Sequence, residues 1–256
     1  MQKQINGIFL LFSFSLLLMS CKKETEGMDE MKDKAKVIFI NATVNNSSTP
    51  ALASREVGIY PVYNGINFNN HPIQFPWSNG YKAFDPGTLR IQLDTTFSPG
   101  ASQPNFAGRT KVMDLQLPVQ ADNYYSLFSV GTINNVDTFF VRDDVSFPAQ
   151  GQARITFYNL STDAGAIDIV NATTGAVIVS NLSYKQRDRN VEMPPGSYRY
   201  QINAAGTATV IRAARDLLIE ANSVYTVWAR GLRTPPAGAM GNQIIQLSYH
   251  ANRWTY

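Results

Sequence analysis

The sequence predicts an all-β protein in which two tandem β-sandwich domains follow a signal peptide and a polar tether. Three observations lead to this prediction: an apolar segment that ends at the single cysteine, three sequence blocks that recur in order, and the composition of those blocks. The blocks are rich in β-branched and aromatic residues, and Gly, Pro, Asn and Asp separate them, which is typical of strands and turns. We expect the domains to cover residues 35–145 and 152–256.

The first element, residues 1–20, has the layout of a secretory signal peptide. Lys3 precedes an apolar run at residues 8–20, and the small residue Ser20 stands directly before Cys21. The run is shorter than the about 20 apolar residues that a membrane-spanning helix needs. We therefore expect residues 1–20 to be removed after export.

The residues around the cleavage point suggest an anchor. Residues 18–21 read LMSC and resemble the lipobox of bacterial lipoproteins, although Met19 is less usual there than a small residue. The resemblance implies cleavage before Cys21 and lipidation of its thiol and new amino group. The alternative is a plain secreted protein with an incidental cysteine.

A tether and a nearly neutral mature chain follow. Residues 21–34 are almost all polar or charged, so they can bury little and would hold the folded part off the membrane. The formal net charge is +3 and falls to +2 once residues 1–20, with one basic and no acidic residue, are removed. No basic patch for nucleic acid stands out, and a single cysteine allows no disulfide within the chain.

The folded part repeats itself, which is why we predict two copies of one domain. Three blocks of the first half match three blocks of the second half in the same order. The pairs are residues 35–41 with 153–159, residues 86–93 with 195–202, and residues 125–131 with 225–231.

One stretch argues against strands throughout. Residues 213–221 are good helix formers. Their counterpart at residues 113–118 alternates apolar and polar residues, as a strand with one wet face does. We therefore predict a strand in both copies.

Each copy places a tyrosine, Tyr125 or Tyr225, at the start of an apolar strand after a polar turn. This arrangement resembles the tyrosine corner of immunoglobulin-like sandwiches, in which the hydroxyl bonds backbone across a corner. The alternative is a tyrosine that only packs. Both interpretations are structural.

At these residues the chain resembles the bacterial domain-of-unknown-function family 4397, which is often found in lipoproteins and in tandem. In the second copy the resemblance is carried by residues 153–159, 161–164, 167–169, 181–182, 195–196 and 225–227. The first copy departs at residues 45–48, where a turn aspartate is missing and extra residues follow. The resemblance implies an immunoglobulin-like β-sandwich outside the cytoplasm, and it supplies no catalytic residues.

Catalytic and metal-binding patterns are weak. His71 and His250 lie in different copies without cysteine partners, and no phosphate loop or nucleophile elbow is present. Asp163 and Asp168 form the best carboxylate pair for binding a cation at a loop, yet Asp163 is better explained as a turn residue that bonds backbone amides. The pair at residues 143–144 could brace the two copies through a cation, but we interpret it as solvated linker. We expect no enzyme activity, no cofactor and no metal.

The extra segment of the first copy is the best candidate for a binding surface. Its aromatic residues are interspersed with asparagines, a mixture that suits sugar faces and hydroxyls or a protein ligand; core and turn packing is the alternative. The aromatic residues are Tyr60, Tyr63, Phe68, Phe75, Trp77 and Tyr81. From them we select Tyr63, Trp77 and Tyr81 as candidate ligand-binding residues.

These observations together predict a non-enzymatic binding or structural protein of the cell envelope, attached by lipid on Cys21 and lying at the outer membrane, on either its periplasmic or its outer face. One alternative is an accessory lipoprotein that captures glycans for an outer-membrane uptake complex. A hydrolase with paired carboxylates at the domain junction is the less favoured alternative.

Overall fold

The computed structural model describes residues 31–96, 108–188 and 190–253. Its regular elements are strands, apart from one helical turn, α1 (Pro50–Ala53), and one 3-10 turn (Gly241–Gln243). The first half contains β1 (Ala35–Asn41), β2 (Gly58–Tyr63), β3 (Ile66–Asn67), β4 (Ile73–Gln74), β5 (Ser78–Phe84), β6 (Gly87–Thr95), β7 (Thr110–Val119), β8 (Tyr124–Thr132) and β9 (Asn135–Asp143). The second half contains β10 (Ala153–Asn159), β11 (Ile167–Asn171), β12 (Val177–Leu182), β13 (Gln186–Arg187), β14 (Val191–Met193), β15 (Gly196–Ala204), β16 (Val210–Ile219), β17 (Val224–Arg230) and β18 (Gln246–Arg253).

The strands form four sheets. Sheet 1 has the order β3-β2-β6-β7, with β4 on β2, and sheet 2 has the order β5-β1-β8-β9. Sheet 3 has the order β13-β10-β17-β18, with β14 on β10, and sheet 4 has the order β12-β11-β15-β16. The recurring blocks occupy equivalent strands, since β1 pairs in parallel with β8 and β10 pairs in parallel with β17.

Each half buries apolar side chains between two sheets. Sheets 1 and 2 enclose one core, which includes Phe39, Ile91 and Leu127. Sheets 3 and 4 enclose another, which includes Phe157 and Ile202. The all-β class and the sandwich-like packing predicted from the sequence are therefore confirmed. The division into two domains at residues 35–145 and 152–256 stays a prediction.

Two further predictions are confirmed: the strand at residues 213–221, whose composition favours a helix, and the tyrosine corners. Residues 213–219 lie within β16, which pairs with β15 as an antiparallel strand. The hydroxyl of Tyr125 accepts a hydrogen bond from the Gln120 amide at 3.1 Å, and that of Tyr225 accepts one from the Glu220 amide at 3.1 Å. Each tyrosine therefore ties its strand to the end of the preceding strand.

A third apolar cluster joins the two halves. The outer face of sheet 2 packs on the outer face of sheet 3, so the order of the layers is sheet 1, sheet 2, sheet 3 and sheet 4. Phe128 stands at the centre, with its ring centroid 5.7 Å from that of Tyr158 and 5.9 Å from that of Trp228. Because of this packing, β1, β10 and β17 are buried on both faces over nearly their whole length.

The proposed signal peptide, Cys21 and most of the tether lie outside the described residues. Within the described part, no helix has the length and apolar character that a membrane span requires.

Candidate functional site

A cleft of about 440 Å³ opens where sheet 3 meets the segment that precedes β5. Both halves of the chain line it. The first half contributes Glu56, Trp77 and Ser78. The second half contributes Arg215, Trp228, Arg230, Asn242, Ser248 and His250, among others.

Strand alternation brings the second-half residues together. In β17, Tyr225, Val227 and Ala229 point into the core between sheets 3 and 4, so Trp228 and Arg230 point to the opposite face. The antiparallel partner β18 places Ser248 beside Trp228 and His250 two residues further along. These side chains lie on the face of sheet 3 that packs against the first half, and at the edge of that contact they form one wall of the cleft.

Arg230 is held in place almost completely out of solvent, at 4% exposure. Its Nε donates to Ser248 Oγ at 2.7 Å, and its Nη1 donates to the Asn242 carbonyl. The guanidinium also lies 5.0 Å from the ring centroid of Phe75. Burial lowers the pKa of Arg230 to about 10, with a smaller contribution from the charge of Arg215. The side chain therefore remains a cation at neutral pH.

Unpartnered buried polar atoms concentrate in this cleft. Seven side-chain nitrogen or oxygen atoms of the described residues are buried without a hydrogen-bond partner, and four of them line this cleft. They are Trp228 Nε1, Asn242 Oδ1, and both ring nitrogens of His250. Burial lowers the pKa of His250 to about 4, so at neutral pH its ring offers one donor and one acceptor. Such groups call for an explanation such as ordered water or a ligand.

Trp77 supplies an exposed aromatic surface on the opposite wall. Its side chain is 68% exposed, whereas its backbone is fixed: the carbonyl accepts from the Asn41 amide at 2.9 Å, and the amide donates to the Gln74 carbonyl at 2.7 Å. A rigidly mounted, solvent-facing indole is suited to contact a ligand.

The other two candidates from the aromatic segment lie elsewhere. Tyr63 is only 1% exposed and packs in the core, 4.8 Å from the ring of Phe84, so it has no surface for a ligand. Tyr81 is half-buried between the halves, where its hydroxyl donates to Asp143 at 2.7 Å and accepts from Asn252 at 2.7 Å. Of the three, only Trp77 lines the cleft.

The remaining carboxylates serve the fold. Both oxygens of Asp163 accept backbone amides, from Arg233 at 2.7 Å and Thr234 at 2.8 Å. Asp168 accepts the amides of Asn181 and Gly206 in the same way. Among the residues that the structure covers, no three His, Cys, Asp or Glu side chains are grouped as a metal site would require.

The interpretation of residues 143–144 as solvated linker needs correction. Asp143 is only 9% exposed and accepts hydrogen bonds from Tyr81 and Ser126. Burial raises its pKa to about 6 in spite of these donors. Asp144 accepts from Arg154 at 3.1 Å and from Asn190 at 2.9 Å. Both carboxylates are thus engaged where the two halves meet.

A second cleft, of about 450 Å³, lies beside these carboxylates and differs in chemistry. Its arginines, Arg142 and Arg187, share the lining with Asp122, Asp143 and Asp144. None of the unpartnered buried atoms of the described residues belongs to its lining. The cleft at Trp77 is therefore the better candidate for ligand binding.

The sequence did not reveal Arg230 and His250 as site residues. The only signal for Arg230 is a basic residue at the end of the apolar run of β17. His250 carries no signal of its own, because its position depends on the pairing of β18 with β17.

Comparison with known families gives a family but no activity. The model of a domain of unknown function, DUF4397, matches residues 35–170, which is more than half of the chain. The chain belongs to the DUF4397 family. The match runs from β1 to β11 and includes residues 45–48, where the sequence departs from the resemblance. No curated protein matches the chain.

Three solved structures, each described as a "putative cell adhesion protein", show faint likeness. The protein of Parabacteroides distasonis is 8% identical, with 87% of this chain and 100% of that chain covered and a TM-score of 0.21. The Bacteroides fragilis protein is 10% identical, with 88% and 99% covered and a TM-score of 0.20. The Bacteroides uniformis protein is 9% identical, with 88% and 100% covered and a TM-score of 0.19. At these scores nothing about this chain is inferred from them.

Proposed function

We propose that this chain is a non-enzymatic binding protein of the bacterial cell envelope, held at the outer membrane by lipid on Cys21. The lipobox-like residues 18–21 and the polar residues that follow them support the anchor. The cleft at Trp77 supports the binding role, and the family supplies no catalytic residues that would favour an enzyme.

One observation carries the binding role: unpartnered buried polar atoms share a cleft with an exposed indole. Each buried donor or acceptor without a partner costs about 1–3 kcal/mol. A ligand rich in hydroxyl groups would satisfy Trp228 Nε1, Asn242 Oδ1 and the ring of His250 at once, while its apolar face contacts Trp77. A saccharide has this chemistry.

Trp77→Ala tests the cleft as the binding site. In a glycan-binding screen of the full chain, we expect this change to weaken binding by about tenfold, because exposed aromatic residues dominate such contacts. Phe147→Ala is the matched control, since Phe147 is 57% exposed and lies outside the cleft lining. Equal affinities of the Trp77 variant and the unaltered chain would reject this site.

Cys21→Ser tests the anchor. We expect this change to move the protein from the membrane fraction to the soluble fraction, because the acyl chains supply the membrane affinity. Mass spectrometry of the unaltered mature chain should show a lipidated N-terminal cysteine. An unmodified thiol at Cys21 would contradict the proposal.

Capture of glycan for an outer-membrane uptake complex is the second candidate, and the exposure of Trp77 favours it. Under this proposal the chain co-purifies with an outer-membrane transporter, and glycan uptake by cells falls when Trp77 is replaced by alanine. Binding without association or an uptake defect would favour a free-standing envelope protein instead. Turnover of a bound glycan by the purified chain would favour a hydrolase over both.

A further inference from the structure

We propose that the cleft at Trp77 takes an acidic sugar, with the carboxylate of a uronic acid residue paired to Arg230 and Arg215. This proposal rests on the proposed function, because it names the ligand class of the same cleft. It follows from the charges of the lining residues and from the groups that lack partners.

The cleft is lined by more positive than negative side chains. Arg230 and Arg215 both line it, and among the residues that the structure describes Glu56 is its only acidic lining residue. Glu56 is engaged by Asn242 Nδ2. Among the described residues, neither arginine has a carboxylate within salt-bridge distance: their hydrogen bonds go to Ser248, to the Asn242 carbonyl and to the Leu247 carbonyl.

Arg230 is a buried cation that the charge of Glu56 partly offsets, without a carboxylate of the described residues in direct contact. A ligand carboxylate would supply the direct partner that a buried cation needs. Guanidinium groups present planar donors that suit a carboxylate, and these charge-assisted hydrogen bonds are among the strongest in proteins. In the second cleft, by contrast, Arg142 and Arg187 already share the lining with three aspartates. The cleft at Trp77 therefore has an excess of positive charge that the second cleft lacks.

The remaining lining groups favour a sugar ring over a bare carboxylate. Trp228 Nε1 is a donor, Asn242 Oδ1 is an acceptor, and neutral His250 offers one of each. These groups match several hydroxyls, and the indole of Trp77 offers a flat apolar face. The volume of about 440 Å³ also lies within the about 300–1,000 Å³ that small-molecule sites occupy.

Three probes distinguish the chemistry by calorimetric titration of the full chain: a galacturonic acid trisaccharide, the corresponding galactose trisaccharide, and acetate. We expect the acidic trisaccharide to bind most tightly. Arg215→Gln and Arg230→Gln should each weaken its binding by about tenfold while changing that of the neutral trisaccharide little. Arg90→Gln is the matched control, because it removes the same charge from an exposed residue outside the cleft.

The outcomes separate this inference from the proposed function. Equal binding of both trisaccharides, weakened by Trp77→Ala but not by the arginine changes, would overturn the acidic ligand and leave the binding site in place. Acetate binding as tight as that of the acidic trisaccharide would overturn the sugar. Failure of every saccharide to bind would overturn both proposals. Because Arg230 is buried and its variant could unfold, Arg215→Gln alone decides the charge contribution in that case.

Discussion

Two glycines occupy equivalent places in the two halves, at the end of the strand that starts at the tyrosine corner. Gly131 is the last residue but one of β8, and Gly231 directly follows β17. Gly131 and Gly231 have φ values of +85° and +91°, in the left-handed region that side chains with a Cβ rarely adopt. A Cβ on Gly231 would also lie 2.7 Å from the Ile244 carbonyl oxygen. The backbone next to Arg230 therefore depends on this glycine for both conformation and space.

Gly231→Ala should destabilise the protein by about 3 kcal/mol or more, because backbone strain and a backbone clash add together. The free energy of unfolding in urea measures the loss. Gly175→Ala is the control: Gly175 has φ +74°, but a Cβ there would meet nothing within 4 Å, so strain alone should cost about 1–2 kcal/mol. Equal losses in both variants would show that the close approach is unimportant.

At the scale of elements, the tyrosine corners fix how one strand follows another. Each corner connects β7 to β8 or β16 to β17 through one hydroxyl and one amide. Tyr125 and Tyr225 are 6% and 2% exposed, so their rings are packed as well as bonded. Because both halves use the same device, equal changes in the two halves should have equal effects.

Tyr125→Phe and Tyr225→Phe should each lower the free energy of unfolding by about 1 kcal/mol, since the ring stays and only the hydrogen bond is lost. Tyr249→Phe is the control, because Tyr249 is a 37% exposed tyrosine on an outer strand. A cost for only one of the two corner variants would mean that the two corners differ energetically in spite of matching geometry.

The strand at residues 213–221 shows how far the fold could be predicted from the sequence. There the composition and the pattern of apolar and polar residues favour different structures. Residues 213–221 favour a helix by propensity, yet Leu217 and Ile219 are buried while Leu218 is 59% exposed. This alternation is the signature of a strand with one wet face, and pairing with β15 outweighs propensity. The matching segment of the first half made the correct interpretation accessible from the sequence.

The candidate site was less accessible, because it requires knowing which sheet packs on which. Trp77 and Arg230 share a cleft only because sheets 2 and 3 meet face to face. A signal did exist: residues 37–40 and most of β17 are apolar without alternation, as expected for strands covered on both faces. That pattern indicates that another part of the protein packs on the outer face of these strands, but it does not identify which part.

For the molecule as a whole, the described residues at the contact between the halves include an acid and a base, Asp143 and His250, whose buried side chains affect stability in opposite directions. Burial raises the pKa of Asp143 from 3.8 to about 6, while Tyr81, Ser126 and the charge of Arg187 favour the carboxylate. Burial lowers the pKa of His250 from 6.5 to about 4, and its ring lies 5.5 Å from that of Trp228. Both groups are thus neutral in the folded protein near pH 5.

The signs of the two contributions follow from proton binding. Between about pH 4 and 6, the folded state holds a proton on Asp143 that the unfolded state has lost, so this residue's contribution to stability falls as pH rises. Between about pH 4 and 6.5, the unfolded state holds a proton on His250 that the folded state lacks, so its contribution rises with pH. The two effects nearly cancel in the unaltered chain.

Single substitutions should therefore expose opposite pH dependences. Relative to the unaltered chain at each pH, Asp143→Asn should lose stability by roughly 2–3 kcal/mol as pH falls from 6.5 to 4, because His250 is then uncompensated. His250→Gln should gain a similar amount over the same range, because Asp143 is then uncompensated. Free energies of unfolding in urea at four pH values measure both trends, and comparison at equal pH removes the contributions of the other carboxylates. The double variant should follow the unaltered chain, since both sources of the trend are gone. If both single variants instead ran parallel to the unaltered chain, neither group could be buried as the packing of sheets 2 and 3 requires.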